Sequence, residues 1–578
     1  MSRAPLRIGN ASGFLGDRAT AMHEMLTGGE LDVLTGDYLA ELTMLILGRQ
    51  RMKDPSRGYA TTFLRQLETG LGEAHQRGVR IVANAGGLNP AGLAQAVRGM
   101  ATRLGLDVVV AYVEGDDLLP HAEELGFGGA LTANAYLGAT GIAECLRAGA
   151  DVVVTGRVTD ASLVVGPAMA HFGWGAGDHD ALAGAVVAGH VLECGTQATG
   201  GNYSFSDRHD VRHPGFPVAL LYGDGSSVIT KHRGTGGAVT VGTVTAQLLY
   251  EIDGARYAGP DVTTRFDTIS LESDGPDRVR IYGVRGEAPP PTTKVCVNTL
   301  GGFRNEMTIA LTGLDIEAKA ALVTGQLEAA LQPRPQSLRW ELRRLDVPDA
   351  PTQAQATALL RCAVSDPDQA VVGRAFSAAV VELALGSIAG FHVLSAPADG
   401  TPYGRYTPFT VDNAVPPHTA VRPDGTLVGQ VPPSVVLGLR PVQDPALPPV
   451  VAGPSRRVPL GSVFGARSGD KGGDVNVGVW AETDVGYGWL AHELTPERVR
   501  ELLPETTGLD IRRTLLPNLR AVNLVLVELL GEGVAGAYRF DPQGKAVGEW
   551  LRSRLVDLPA SILDEPEVPD EPEQSELR

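Results

Sequence analysis

Short runs of β-branched and aliphatic residues alternate with longer stretches in which apolar positions recur every three or four residues, and this alternation organises the first third of the chain. The runs at 5–10, 79–85, 106–113 and 150–156 predict strands, and each ends in a loop of small residues. Between them, 61–78 and 89–105 predict amphipathic helices. Strand, loop and helix repeated in this order predict an α/β fold with a doubly wound, largely parallel sheet over residues 1–200.

Beyond residue 200 the period shortens. Segments 216–232, 237–252 and 277–286 read as β-type, separated by turn signals, and predict a mixed α+β lobe over 200–430. A helix is expected over 316–332, with further α/β crossover structure around 339–347 and 374–397. Proline is dense between 431 and 459, where helices and central strands are both disfavoured, so 431–458 reads as a linker closing a core of 1–455. Residues 459–560 follow a β, β, α, β, α order that suits a small ferredoxin-like α+β domain. Thr495 as N-cap, Pro496 at the first helical position and Glu497 mark its helix start, and a single closing helix is expected over 545–559. The last stretch, 561–578, is acidic and reads as a disordered, solubilising tail.

Composition narrows the function classes. With 578 residues, 43% of them hydrophobic, the chain has material for several cores, and its 72 glycines and 39 prolines are scattered rather than repeated. Lys plus Arg number 49 against 67 for Asp plus Glu, a net charge of −18, so a polyphosphate is repelled and nucleic-acid binding is set aside. The four cysteines, Cys145, Cys194, Cys296 and Cys362, form no CxxC or close pair, which points to a reducing, cytoplasmic setting rather than a disulfide frame or zinc ribbon. No window has the length of apolar chain that a membrane span requires, and a soluble protein is expected. Low aromatic content and many short loops leave apolar faces to cover, which favours a homo-oligomer.

In an open parallel sheet, ligands bind beyond the carboxyl ends of the strands. The loop with Asn10, Ser12 and Gly13 and the loop with Asn84, Gly86 and Gly87 could each present backbone N–H groups to an anion, or simply make tight turns. Neither has the Walker A or the GxGxxG spacing, which disfavours a classical ATPase or nicotinamide enzyme. Asp37 follows an apolar step and precedes a helix, as an N-cap or as a catalytic acid. Arg157 and Asp160, three residues apart at a strand-to-helix junction, form an internal pair or divide the work of clamping an anion and moving a proton. Glu193 is a further acid/base candidate, whereas Cys194 beside it reads as a small buried apolar residue. His209 and His213 have metal-like spacing in a loop broken by Pro214 and Gly215, and read as loop histidines. Lys231, Thr235 and Gly236 lie in a basic, Gly-rich turn that suits a phosphate or carboxylate. Arg467, Ser468, Asp470 and Lys471 crowd a hairpin-like connection that belongs either to the site or to an interdomain latch.

Together the segments IGNASGFLGDR, TGDYLAELTM, VANAGGLNP, TGRVTDASL, HVLECGTQATGGNY, ITKHRGTGGAVT and ARSGDKGGDVNVG resemble the acyclic terpene utilisation (AtuA) family. The resemblance runs from about residue 5 to 560 and implies a large AtuA core followed by a ferredoxin-fold domain. It implies catabolism of citronellol- and geraniol-like compounds: a lyase or hydratase step on a branched acyl-CoA or related carboxylic acid, with CoA entering as part of the substrate. The alternative it leaves open is a non-catalytic scaffold for a biotin-dependent acyl-CoA carboxylase; an ATP-dependent ligase or kinase ranks third. On the lyase reading Asp160 is the first acid/base choice and Glu193 the second, while the Gly-rich loops and Lys231 would hold phosphates. Lyases of the hydroxymethylglutaryl type use a divalent metal. Their HxH ligand pattern is not present here, so the metal stays undetermined.

Overall fold

The structure, a computed structural model, describes residues 3–564; most of the acidic tail expected at 561–578 lies outside them, and Ala560–Leu563 is a helical turn. The chain forms two compact units. Of the described residues, the first comprises 3–298, 406–534 and 541–564, and the second 299–405 with 535–540.

Five strands, Leu6–Asn10, Val33–Gly36, Arg80–Ala83, Val152–Thr155 and Val110–Glu114, lie side by side in that spatial order and all run parallel. Their alternation explains the layering. Leu34, Ile81, Ala83, Val152 and Val154 enter one core with helices Ala21–Gly28, Thr61–Arg77 and Pro90–Leu104. Ile8, Val33, Val82, Val153 and Ala111 enter another with helices Thr140–Arg147, Ser162–Phe172 and His179–Glu193. Successive side chains point to opposite faces, so a continuous apolar run serves two cores at once.

The sheet is nevertheless mixed. It has eleven strands, and of its ten pairings four are parallel and six antiparallel. The hairpin Pro217–Leu221 and Ser227–Lys231 extends it antiparallel to Leu6–Asn10, and Thr419–Val421 does the same beside Val110–Glu114. Part of the expected mixed lobe is thus absorbed into the edges of the main sheet. The segment 237–252, expected as β-type, instead contains the helix Val241–Leu248: Thr240 Oγ1 accepts from Thr243 N, and Val244 and Leu248 are wholly buried. A side-chain cap and an apolar face outweigh the β-branched composition.

In the second unit, the strand Thr292–Thr312 enters from the first unit, and the helix Ile316–Ala330 follows and leads to Ser337–Arg343. Thr357–Asp366 lies between the two strands and antiparallel to both, a split β-α-β arrangement. Val323, Leu327, Leu360, Phe376 and Val380 form its core.

The chain has neither helix nor strand over 430–454. Gly465–Lys471, Asp474–Trp480, Ala521–Leu526 and Ile511–Leu516 then make a four-stranded antiparallel sheet, carrying helices Asp484–Glu493, Pro496–Leu502 and Val547–Arg552. Thr495 caps the second of these helices, accepting from Arg498 N at 3.2 Å. The closing helix expected over 545–559 stops at Arg552, and Leu555–Pro559 pairs with Ser455–Pro459 instead. No helix among the described residues is long and apolar enough to cross a membrane.

Candidate functional site

Three neighbouring parallel strands end at one place. Asp37 follows Val33–Gly36, Asn84 follows Arg80–Ala83, and Arg157 stands two residues beyond Val152–Thr155. The helix after Arg80–Ala83 lies on one face of the sheet and the helix after Val152–Thr155 on the other, so the chain parts above the sheet where these residues emerge.

Arg157 anchors the cluster. Its backbone N–H donates to Asp116 Oδ2 at 2.8 Å, its Nη1 donates to Leu39 O at 2.9 Å and to Asp160 Oδ1 at 2.8 Å, and its guanidinium lies 4.3 Å above the Tyr136 ring. Its Nε is buried with no hydrogen-bond partner among the described residues. Asp160 keeps 27% of its side-chain surface open, enough for a ligand to reach. Burial of the remainder pushes its carboxyl well above the ordinary range despite Arg157, and the charges of Asp37, Glu193 and Glu41 add to the effect.

Asp37 Oδ1 accepts from Asn84 Nδ2 at 2.6 Å and from Leu39 N at 3.1 Å. The following helix begins at Glu41 with Ala40 at its cap, so Asp37 is not an N-cap. Burial raises its carboxyl to about 6, against the pull of Arg157 and Asn84 and with a push from Glu193. Beneath Arg157, burial raises the Asp116 carboxyl to about 7; it accepts from Arg157 N and from Asn134 Nδ2. Glu41 behaves in the opposite way. Burial alone would raise it, but Lys294 at 3.4 Å and Arg157 hold it well below the usual range, and Tyr136 Oη donates to it at 2.7 Å. One pocket of charge thus holds carboxyls of opposed protonation tendency, the arrangement that separates acid from base.

The structure therefore brings Asp37, Arg157, Asp160 and Glu193 into one electrostatic centre. It gives the Gly-rich loops other work. Asn10 Nδ2 donates to the carbonyls of Leu192 and Glu193, and Gly13 N donates to Asp17 Oδ2, while Ser12 Oγ bonds to Phe14 O. In the second loop, Asn84 Oδ1 accepts from Tyr38 N, and the N–H groups of Gly87, Leu88 and Asn89 are taken by chain carbonyls. A Cβ on Gly86 would stand 2.5 Å from Thr155 O, so glycine there lets two strand ends approach. Lys231 Nζ is buried between Asp277 Oδ2 and Thr235 O, both at 2.8 Å, and Gly236 pairs with Pro214. These contacts run to Asp277 and the 210–215 loop, not to the acidic centre.

The hairpin of the small domain reaches the centre of its own chain. Burial and the charges of Glu251 and Glu41 raise Asp470 to about 6, against Lys545, whose Nζ lies 3.3 Å away. Lys471 Nζ donates to Glu251 O at 2.5 Å, Arg467 binds Gln197 and Asn202 O, and Ser468 Oγ bonds to Lys545 O while accepting from Gly548 N. Asn476 completes the seam: its Oδ1 accepts from Glu251 N at 2.7 Å and its Nδ2 donates to Ile252 O at 3.1 Å.

Residues 6–421 match the model of the acyclic terpene utilisation family protein AtuA, and residues 458–557 match the AtuA ferredoxin-like domain. The chain belongs to the acyclic terpene utilisation family. No curated protein and no solved structure matches it.

In this AtuA-family chain both matched stretches furnish charged groups to the same centre. Glu41, Tyr136, Lys294, Asp116, His190 and Lys545 are not among the residues that the sequence singles out. His190, one helical turn before Glu193, and Glu41, in the segment that begins with Asp37, were findable by spacing; Tyr136, Lys294 and Lys545 arrive by tertiary folding alone. Cys194 is unsuited to nucleophilic work, since burial and the charges of Glu193 and Glu251 push its thiol well above its ordinary value. Among the described residues no group of three or more His, Cys, Asp or Glu side chains is arranged to hold a metal ion.

Proposed function

We propose that this AtuA-family protein is a hydro-lyase or lyase acting on a branched acyl-CoA or a related carboxylic acid, with Asp160 as its proton carrier. The observation that carries this reading is the partly open Asp160 carboxyl, bonded to the buried Arg157 and crowded by Asp37, Glu193 and Glu41. Both reaction types require a group that exchanges a proton with the substrate's 3-hydroxyl. A carboxyl held above its ordinary range keeps its proton at a pH where an ordinary carboxyl has lost it, and so has one to donate to a departing hydroxyl, as in dehydration. Arg157 and Lys294 supply positive charge beside the acids for the substrate's carboxylate or for the enolate that forms at its carbonyl.

The test is a mass-spectrometric turnover assay on the purified full chain with branched 3-hydroxyglutaryl-CoA and enoyl-CoA thioesters, with and without divalent metal. Product is expected, and Asp160→Asn is expected to lower its rate by about 100- to 10,000-fold with folding intact. Full activity in Asp160→Asn overturns the role of Asp160. Absence of product from every thioester overturns the enzyme reading as stated.

A further inference from the structure

Glu193 closes the last turn of the helix His179–Glu193, and His190 stands three residues before it, so both side chains leave from one face. The end of this helix is tied at three carbonyls. Gln247 Nε2 donates to His190 O at 3.0 Å, and Asn10 Nδ2 donates to Leu192 O at 2.5 Å and to Glu193 O at 3.3 Å. Groups that a helix terminus leaves open are thereby satisfied, and the backbone under the pair is fixed.

His190 has no exposed surface, and its ring lies against Tyr257 and Phe266, with centroids 5.4 and 5.5 Å away. Its Nδ1 is 3.1 Å from Glu193 Oε1, a hydrogen-bond length at which only alignment is lacking. Neither ring nitrogen, nor Glu193 Oε2, makes a hydrogen bond among the described residues. Burying such atoms is costly, and an aliphatic side chain would fill the same space without that cost. The imidazole therefore has a use that packing does not explain.

We propose that His190 is a positioning residue that carries its proton on Nδ1 and holds Glu193 as the base opposite Asp160, leaving Glu193 Oε2 for the substrate. This rests on the acid/base reading given above. The titratable groups facing Glu193 are Asp160 and Asp37 from the loops beyond the strand ends, Cys194 next to it in the chain, and Tyr257 from the strand Arg256–Ala258; Arg157 acts on the two aspartates in turn, and Glu251 on Cys194 and Tyr257. In dehydration Glu193 takes the proton from the carbon next to the thioester, and the electrons of that C–H bond become the new double bond. The C–O bond at position 3 breaks, and the hydroxyl leaves as water with the proton of Asp160. Glu193 ends protonated and Asp160 ionised, so proton and charge balance.

Two measurements on the full chain test this. Nitrogen-15 NMR of histidine-labelled protein, with the His190 signal assigned by its loss in His190→Asn, is expected to show an Nδ1-protonated ring whose shift changes in Glu193→Gln. In the thioester assay His190→Leu is expected to lower kcat by about 100-fold with KM little changed and to move the acidic limb of the pH profile. His190→Asn, whose amide can donate from the place of Nδ1, is expected to recover most of the rate. An Nε2-protonated ring, a signal indifferent to Glu193→Gln, or a fully active His190→Leu overturns the role of His190. An intact pair in the NMR experiment with no turnover of any thioester overturns the acid/base reading instead and leaves the dyad without a catalytic use.

Discussion

Asp116 is a buried acid bonded by Arg157 N and Asn134 Nδ2 through one oxygen, and burial raises it to about 7. A folded-state value above the unfolded one means that its favourable contribution is complete below about pH 4 and is lost as pH rises through about 7. Asn at this position keeps an acceptor for both donors and carries no charge. Asp116→Asn is therefore expected to match the native protein in urea unfolding at pH 4 and to exceed it at pH 8, by on the order of 4 kcal/mol. Equal midpoints at pH 8 would mean that Asp116 stays solvated in the fold. Asp37, raised to about 6, works in the same direction over a narrower range. Of the centre's residues, Asp37, Arg157, Asp160 and Glu193 were legible in the sequence because each stands at the end of an element or in the loop just beyond a strand, where a side chain is free to face a ligand. Lys294 and Lys545 were not, because nothing local marks a lysine whose acid partner lies 253 residues away, as Glu41 does from Lys294, or at the far side of a domain seam, as Glu251 does from Lys545.

Among the elements around the acidic centre, the turn after Arg80–Ala83 leaves little room for change. At Gly86 a Cβ would meet Thr155 O at 2.5 Å and Pro90 Cα at 2.8 Å, both backbone atoms that cannot swing aside. Gly86→Ala is expected to cost about 1–3 kcal/mol in thermal unfolding, as overpacking does, and to lower ligand affinity by displacing Asn84 from Asp37. An unchanged midpoint would show that the strand ends separate freely. Where an element buries a face with its own period the sequence pattern places it well: Thr61–Arg77 and Pro90–Leu104 fall within a residue of where periodicity puts them, whereas the central strand Val33–Gly36, the strand Ala130–Ala135 and the helices Ala21–Gly28 and Thr140–Arg147 are not among the elements the pattern predicts. The pattern fails where burial is decided by partners remote in sequence. The helix Val241–Leu248 looks like a strand because Val and Thr dominate it, and the antiparallel flanks of the main sheet come from residues 217–231, 270–282 and 419–429, which no local signal assigns to it.

At the scale of the molecule, the small domain and the main sheet are joined by Asn476, Lys471, Lys545 and Arg467 across residues 197–253. Asn476→Ala removes two bonds across the seam and a third to Asn523 Oδ1, and leaves Glu251 N unmet, and a loss of about 1–3 kcal/mol is expected. Limited proteolysis reads it out: the coil over 430–454 should be cut faster in the variant, and an unchanged rate would place the hold of the domain elsewhere. The same geometry governs the order in which the protein can become active during synthesis. Leu6–Asn10 waits for Pro217–Leu221, Val110–Glu114 waits for Thr419–Val421, and the acidic centre waits for Lys545, so the ribosome has to deliver residues as far as 545 before the site is whole. A nascent chain of this protein carries its carboxylates for most of its translation without the partners that tune them.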